Sequence, residues 1–402
     1  MLPTIPRPIS LAVIVLPALF NTLSAGQVVN ETAKLLPSDG AGGDNFGDSV
    51  AISGTTAVVG ASGDGDNGIA SGSAYLFDTI TGQQIAKLLP SDGTAGDFFG
   101  GSVAISGTTA VVGAYGDGDN GVYSGSAYLF DTITGQQIAK LLPSDGAEQD
   151  QFGGSVAISG TTAVVGAYWD DDNGDYSGSA YLFDTLTGQQ IAKLLPTDGA
   201  AEDLFGYSVA ISGTTAVVGA WGDDDNGDLS GSAYLFDTLT GQQTAKLLPS
   251  DGAVGDQFGR SVAISGNTAV VGALVDDDNS GNSGSAYLFD TLTGQQTAKL
   301  QPSDGAAFDF FGRSVAINGN MAVVGAYWDD DNGLNSGSAY LFPTGAPCPA
   351  DLTGDGVLNF FDVSAFLVAF NSSDPLADFT GDGSFNFFDV SAFLVAFSAG
   401  CP

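Results

Sequence analysis

The chain has 402 residues and a formal net charge of −37, from 46 acidic residues against 9 basic ones, with no histidine and two cysteines. A charge of that sign and size excludes nucleic acid and anionic lipid as partners by plain Coulomb repulsion. The missing histidine removes the commonest general base and zinc ligand, and two cysteines cannot build a structural zinc site.

The N-terminus opens with Arg7, an apolar run from Ile9 to Phe20, and the small residues Ser24, Ala25 and Gly26. This is the pattern of a secretory signal peptide over residues 1–25. The run is short for a span of roughly 20 residues and Pro17 interrupts it, so a membrane anchor is the weaker reading. The expectation is a secreted or cell-surface protein with no transmembrane segment in the mature chain.

Next comes a repeat. The motif AKL recurs at Ala33, Ala86, Ala139, Ala192, Ala245 and Ala298. Each unit reads AKLLPSDGA, FGxSVAISG, TTAVVGA, a Gly/Asp-rich loop and SGSAYLFDTxTGQQ. SVAIS, AVVGA, SAYLF and QQIAKLL are rich in β-branched and aromatic residues and are bounded by Gly, Asp or Pro, which predicts four short strands per unit. Four-stranded units at this period predict an all-β, six-bladed β-propeller over residues 27–342. The sixth unit ends at SGSAYLF (336–342) without its own AKLL, while an unpaired AKLL stands at 33–36. The expectation is that this N-terminal strand completes the last blade and closes the ring, hiding two sheet edges.

FGDSVAISG and VVGA (46–61), with their five copies, resemble the FG-GAP repeats of integrin-α-type propellers, over residues 33–342. Integrin-type units often carry a calcium loop between these two strands. Here SGTT (53–56) or SGNT (265–268) stands in its place, so that site is not carried over.

The turns SGTT and DTxTGQQ fall on one face of such a propeller, and PSDGAxxDxFG and the acidic loops on the other. The units differ mainly after VVGA, where Tyr115, Tyr168, Trp169, Trp221, Tyr327 and Trp328 appear. Loop aromatics beside carboxylates suit a protein or glycan ligand; packing between neighbouring blades is the alternative. The DxDNG runs (Asp64, Asp66, Asn67; Asp170, Asp172, Asn173) read as solvated turns, anion-repelling loops or calcium loops lacking a closing carboxylate.

A Pro/Gly linker over 343–350 precedes two segments 27 residues apart, DLTGDGVLNFFDVSAFLVAF (351–370) and DFTGDGSFNFFDVSAFLVAF (378–397). Each opens with an EF-hand-type loop, with glycine at the sharp turn (Gly356, Gly383). The ligand positions are Asp351, Thr353, Asp355, Val357 (by its carbonyl), Asn359 and Asp362, then Asp378, Thr380, Asp382, Ser384, Asn386 and Asp389. Two Ca2+ sites are expected. Val363, Phe366, Leu367 and Phe370, with Val390, Phe393, Leu394 and Phe397, recur at helical spacing and predict a small core.

Loop–helix twice over, with Asp at the twelfth position, resembles a type I dockerin module; the resemblance covers residues 348–402, with the domain itself at 351–402. That resemblance implies docking to a cohesin-like partner through loop positions 10 and 11, here Phe360, Phe361, Phe387 and Phe388; a core role for these four is the alternative. Cys348 and Cys401 bracket the module, and export permits a disulfide between them, worth about 3–4 kcal/mol in the chain-entropy account.

The expected function is an exported, calcium-binding, non-enzymatic binding or adhesion protein. The alternatives are a component of a polysaccharide-degrading complex and a purely structural surface protein. Glycosidases need two carboxylates about 5–9.5 Å apart. With so many aspartates the sequence identifies no such pair, and near-identical units argue against a single active site.

Overall fold

The computed structural model describes residues 33–344, 350–353, 358–372, 374–380 and 383–399. The signal-peptide region, the ligand positions Asp355, Val357 and Asp382, and both cysteines lie outside the described residues. By its contacts the chain divides into Met1–Lys34 and Leu35–Pro402; of the first unit only Ala33 and Lys34 are described, and both are exposed and in no strand.

The second unit begins with six sheets. Blade 1 has strands Phe46–Ser53, Thr56–Ala61, Ser73–Asp78 and Gln84–Leu88, each antiparallel to the next. Blades 2–5 repeat that order, and blade 6 has three strands, Phe311–Asn318, Met321–Ala326 and Ser338–Pro343. The fold is therefore the expected all-β, six-bladed propeller. In blades 2–5 VVGA and SAYLF are buried on both faces because each of these blades is sandwiched between two others, so the strands read as continuous apolar runs rather than alternating ones.

The FG and VVGA motifs have one physical explanation. Phe99 sits edge-on to Tyr128 and Phe130 of blade 2 and shares a cluster with Val58 and Leu76 of blade 1, so it plugs the junction between them. A Cβ at Gly60 would lie 1.9 Å from the Gly100 carbonyl oxygen, so the backbones at that junction meet too closely for any side chain.

The expected ring closure is not formed by the described residues. Residues 33–37 carry no strand, and blade 6 stops at its third strand. Val50 and Ile52 of blade 1 are 67% and 66% exposed, whereas Val103 and Ile105 at the same places in blade 2 are 6% and 9% exposed. Val323 and Leu341 of blade 6 are likewise uncovered, though their counterparts in blades 1–5 are buried. The physical difference is chain distance. Every other fourth strand is reached through a tight turn, fixed in blade 1 by Asp78 accepting from the Ile80 and Thr81 N–H groups. Closing the ring means joining segments some 300 residues apart, which adds roughly 3–4 kcal/mol of loop-closure cost over a tight turn.

After the blades come α1 (Phe360–Ser372), a 3-10 turn (Pro375–Ala377) and α2 (Phe387–Ala399). Pro343 ends the last strand, and Ala350 is fully buried in the helical cluster. Phe366 and Phe393 stack at 4.2 Å and 7° in the centre of that cluster. Leu367 and Leu394 do not join it; both are exposed on the outer helix face. Val363, Phe370, Val390 and Phe397 pack against the stack as expected.

Candidate functional site

Two pairs of backbone contacts establish the faces. The Thr79 N–H donates to the Thr55 carbonyl, joining the two short turns. On the other side the N–H groups of Gly96, Phe98 and Phe99 donate to Ile69, Ala70 and Ser71, joining the FG loop to the acidic loop of the preceding blade. The turn face is not featureless: Ile80, Ile133, Leu186, Leu239 and Leu292 stand exposed there, one in each of blades 1–5.

The acidic loops have a structural task that the sequence did not reveal. Lys193 Nζ lies 2.6–2.9 Å from carboxylate oxygens of Asp145, Asp170 and Asp172. Asp170 is buried, and its Oδ2 also accepts from the Tyr181 hydroxyl. The same cradle recurs around Lys87, Lys140, Lys246 and Lys299. Burial would lower each of these lysine pKa values, but the surrounding carboxylates outweigh it and hold them above the ordinary range. In blades 1–5 the aspartates at the first and third positions of the DxDN run therefore neutralise a lysine. Blade 6 keeps Asp304, Asp329, Asp331 and Tyr340, with the Tyr340 hydroxyl donating to Asp304 and Asp329. No lysine joins them among the described residues.

One further carboxylate per unit faces inward. Asp150, Asp203 and Asp256 accept from the backbone N–H groups of Ala147, Ala200 and Ala253. Burial, and then the charges of Asp170, Asp223 and Asp276, push these three up to about 6.

The six loop aromatics fall into three groups. Tyr115 stacks on Phe98 at 5.0 Å. Tyr168 touches Trp169 and reaches Tyr207 of the next unit, Tyr207 touches Trp221, and the Arg260 guanidinium lies 5.1 Å from both the Tyr207 and Trp221 rings. Tyr327 and Trp328 gather on Phe310, with Arg313 4.6 Å from the Tyr327 ring. Tyr115, Tyr168, Trp169 and Trp221 are half-buried and pack on neighbours, whereas Tyr327 and Trp328 are exposed. Sequence reasoning missed Phe98, Tyr207, Arg260, Phe310 and Arg313, which occupy the two variable repeat positions on either side of the Phe-Gly dipeptide.

In the helical unit, Asp362 and Asp389 are fully buried. Asp362 Oδ1 accepts from the Thr353 N–H and hydroxyl, and its Oδ2 from the Asn359 N–H. The Thr353 hydroxyl is also 3.2 Å from Asp351 Oδ1, so the oxygens of loop positions 1, 3 and 12 converge. Thr380, Asp389, Asn386 and Asp378 repeat the arrangement. Converging hard oxygens fit Ca2+. Phe360, Phe361, Phe387 and Phe388 are 76%, 69%, 76% and 69% exposed, which removes the core alternative for them.

The FG-GAP repeat family matches residues 29–77, 83–130, 136–183, 189–236, 242–289 and 295–342. The chain belongs to the FG-GAP repeat family. The match ends with blade 6, so the loop–helix pair lies outside it. Among solved structures, this FG-GAP chain is similar to the computationally designed Ika8 protein, at 20% identity over 73% of this chain and 70% of that one, with a TM-score of 0.45. No curated protein matches it. An FG-GAP propeller fits a binding or adhesion protein.

Proposed function

We propose that this FG-GAP protein is exported and acts outside the cell, secreted or at the cell surface, as a calcium-binding, non-enzymatic binding or adhesion protein. The propeller presents its aromatic loop face to a protein or glycan ligand. The C-terminal loop–helix pair docks on a protein partner of cohesin type.

The observation that carries this reading is the exposure of two matching phenylalanine pairs, Phe360–Phe361 and Phe387–Phe388, each at the start of a helix beside a buried loop carboxylate. Four exposed phenylalanines on a small unit favour a protein surface that covers them. Asp351, Thr353, Asp355, the Val357 carbonyl, Asn359 and Asp362 would hold one Ca2+, and Asp378, Thr380, Asp382, Ser384, Asn386 and Asp389 a second. Bound calcium neutralises the carboxylates of each loop and stiffens it. A Cys348–Cys401 disulfide would tie the two ends of the unit together.

The test is a pull-down of exported proteins with the full-length chain, with and without a chelator. A captured partner that is lost on chelation, and lost again in a Phe361→Ser/Phe388→Ser variant, supports the reading. Capture indifferent to both changes overturns the docking role.

A further inference from the structure

The two ends of the propeller are complementary halves of one junction. At the N-terminal end Leu35 packs on Val59, Tyr75 and Phe77 of blade 1, as Leu141 packs on Val165, Tyr181 and Phe183 of blade 3. Asp39 takes the Lys87 ammonium and the Tyr75 hydroxyl, as Asp145 takes Lys193 and Tyr181. Residues 35–39 are thus laid out like the end of a fourth strand and the loop that follows it. A Cβ added to Gly47 would meet nothing within 4 Å, whereas one at Gly100 would lie 2.2 Å from the Ser73 carbonyl oxygen of the blade before it.

Blade 6 is the other half. Among the described residues it has three strands and no fourth, an uncovered Leu341, and the carboxylates Asp304, Asp329 and Asp331 with no lysine. In blades 1–5 the fourth strand pairs in one register: Tyr75 opposite Lys87, Ala74 opposite Leu88, Leu76 opposite Ala86, and the same in the next four.

We propose that the outer edge of blade 6 receives the Ala33–Leu36 segment of a second copy of this chain as its fourth strand. Three things select that occupant. Among the described residues the strand Ser338–Pro343 pairs on one side only, with Met321–Ala326, and a free sheet edge accepts an added strand. The three carboxylates need a cation at one place, and the segment carries Lys34 at the matching position. The same contact is already made five times within each chain. The inherited register puts Lys34 opposite Tyr340, Leu35 opposite Ala339 and Ala33 opposite Leu341, with Lys34 Nζ among Asp304, Asp329 and Asp331. Because the two surfaces differ, the contact is head-to-tail and links chains in series.

The experiment mixes two full-length chains, one Ala33→Cys and one Leu341→Cys, both also Cys348→Ser and Cys401→Ser, under mild oxidation. The expected product on a non-reducing gel is a disulfide-linked dimer of the two. Adding Lys34→Met to the first chain lowers its yield several-fold. No dimer, or a yield indifferent to Lys34, overturns the proposal. So does a single chain carrying both cysteines that forms only an internal disulfide, since that assigns the edge to the chain's own N-terminus.

Discussion

Lys193 Nζ lies 2.9 Å from the buried Asp170 carboxylate, at the centre of a cradle whose other acids, Asp145 and Asp172, are half-exposed. Removing the lysine leaves Asp170 buried without a counter-charge. Lys193→Met should cost about 3–5 kcal/mol, read as a shifted midpoint in urea. Asp172→Asn, at the wet side of the same cradle, should cost about 0–1 kcal/mol. Equal effects from the two substitutions would refute a buried-charge role for the lysine.

Acidity should act with opposite signs in two windows. Asp150, Asp203 and Asp256 sit near 6 in the folded protein against an ordinary 3.8, so between those values the folded state holds more protons than the unfolded state. Stability therefore falls as pH rises through that window. For Asp145, Asp223 and Asp251, burial alone would raise the pKa, but the lysines outweigh it and the values lie below 3.8. Their contribution is present above 3.8 and is lost as pH falls through the lowered values. Thermal unfolding should thus show a maximum at about pH 4. A midpoint that rises steadily from pH 4 to pH 7 would contradict this assignment.

The Phe366–Phe393 stack joins the two halves of the helical unit. Phe366→Ala should cost about 3–5 kcal/mol, as a buried aromatic truncation. Phe361→Ala, at an exposed position, should change stability by less than about 0.5 kcal/mol. Near- and far-UV circular dichroism of the full chain during denaturation separates the two.

Calcium titration by calorimetry should find about two ions per chain. Asp362→Asn and Asp389→Asn should each remove one. Five or more ions would mean that metal competes with lysine in the blade cradles.

Replacing Trp169, Trp221 and Trp328 together by alanine should abolish binding on a glycan array or to a captured protein ligand. Tyr168, Trp169, Tyr207, Trp221 and Arg260 are already linked across three units, so Trp221→Ala alone should also loosen packing. Trp328→Ala, at an exposed site, should reduce binding without lowering the unfolding midpoint. Unchanged binding in the triple variant removes the aromatic face from the account.

The sequence by itself determined the blades. Strand identity, turn positions and the 27-residue twin of the helical unit are local matters of residue type and period, and each of these elements closes through short-range contacts. The convergence of the loop acids on lysine was not legible. Lys193, Tyr181, Asp170 and Asp145 come from four separate segments, and only the pairing of strands and the packing of one blade on the next bring them to one point. The exposure of Phe361 beside a buried Phe366 is likewise a matter of which helix face meets the other helix. The ends show the limit most plainly. AKLL at 33–36 is identical in sequence to strands that pair in four other units, yet only those units have a tight turn that delivers it to a neighbour. A strand edge some 300 residues away is found, or left bare, by the geometry of the assembled blades, which no local pattern encodes.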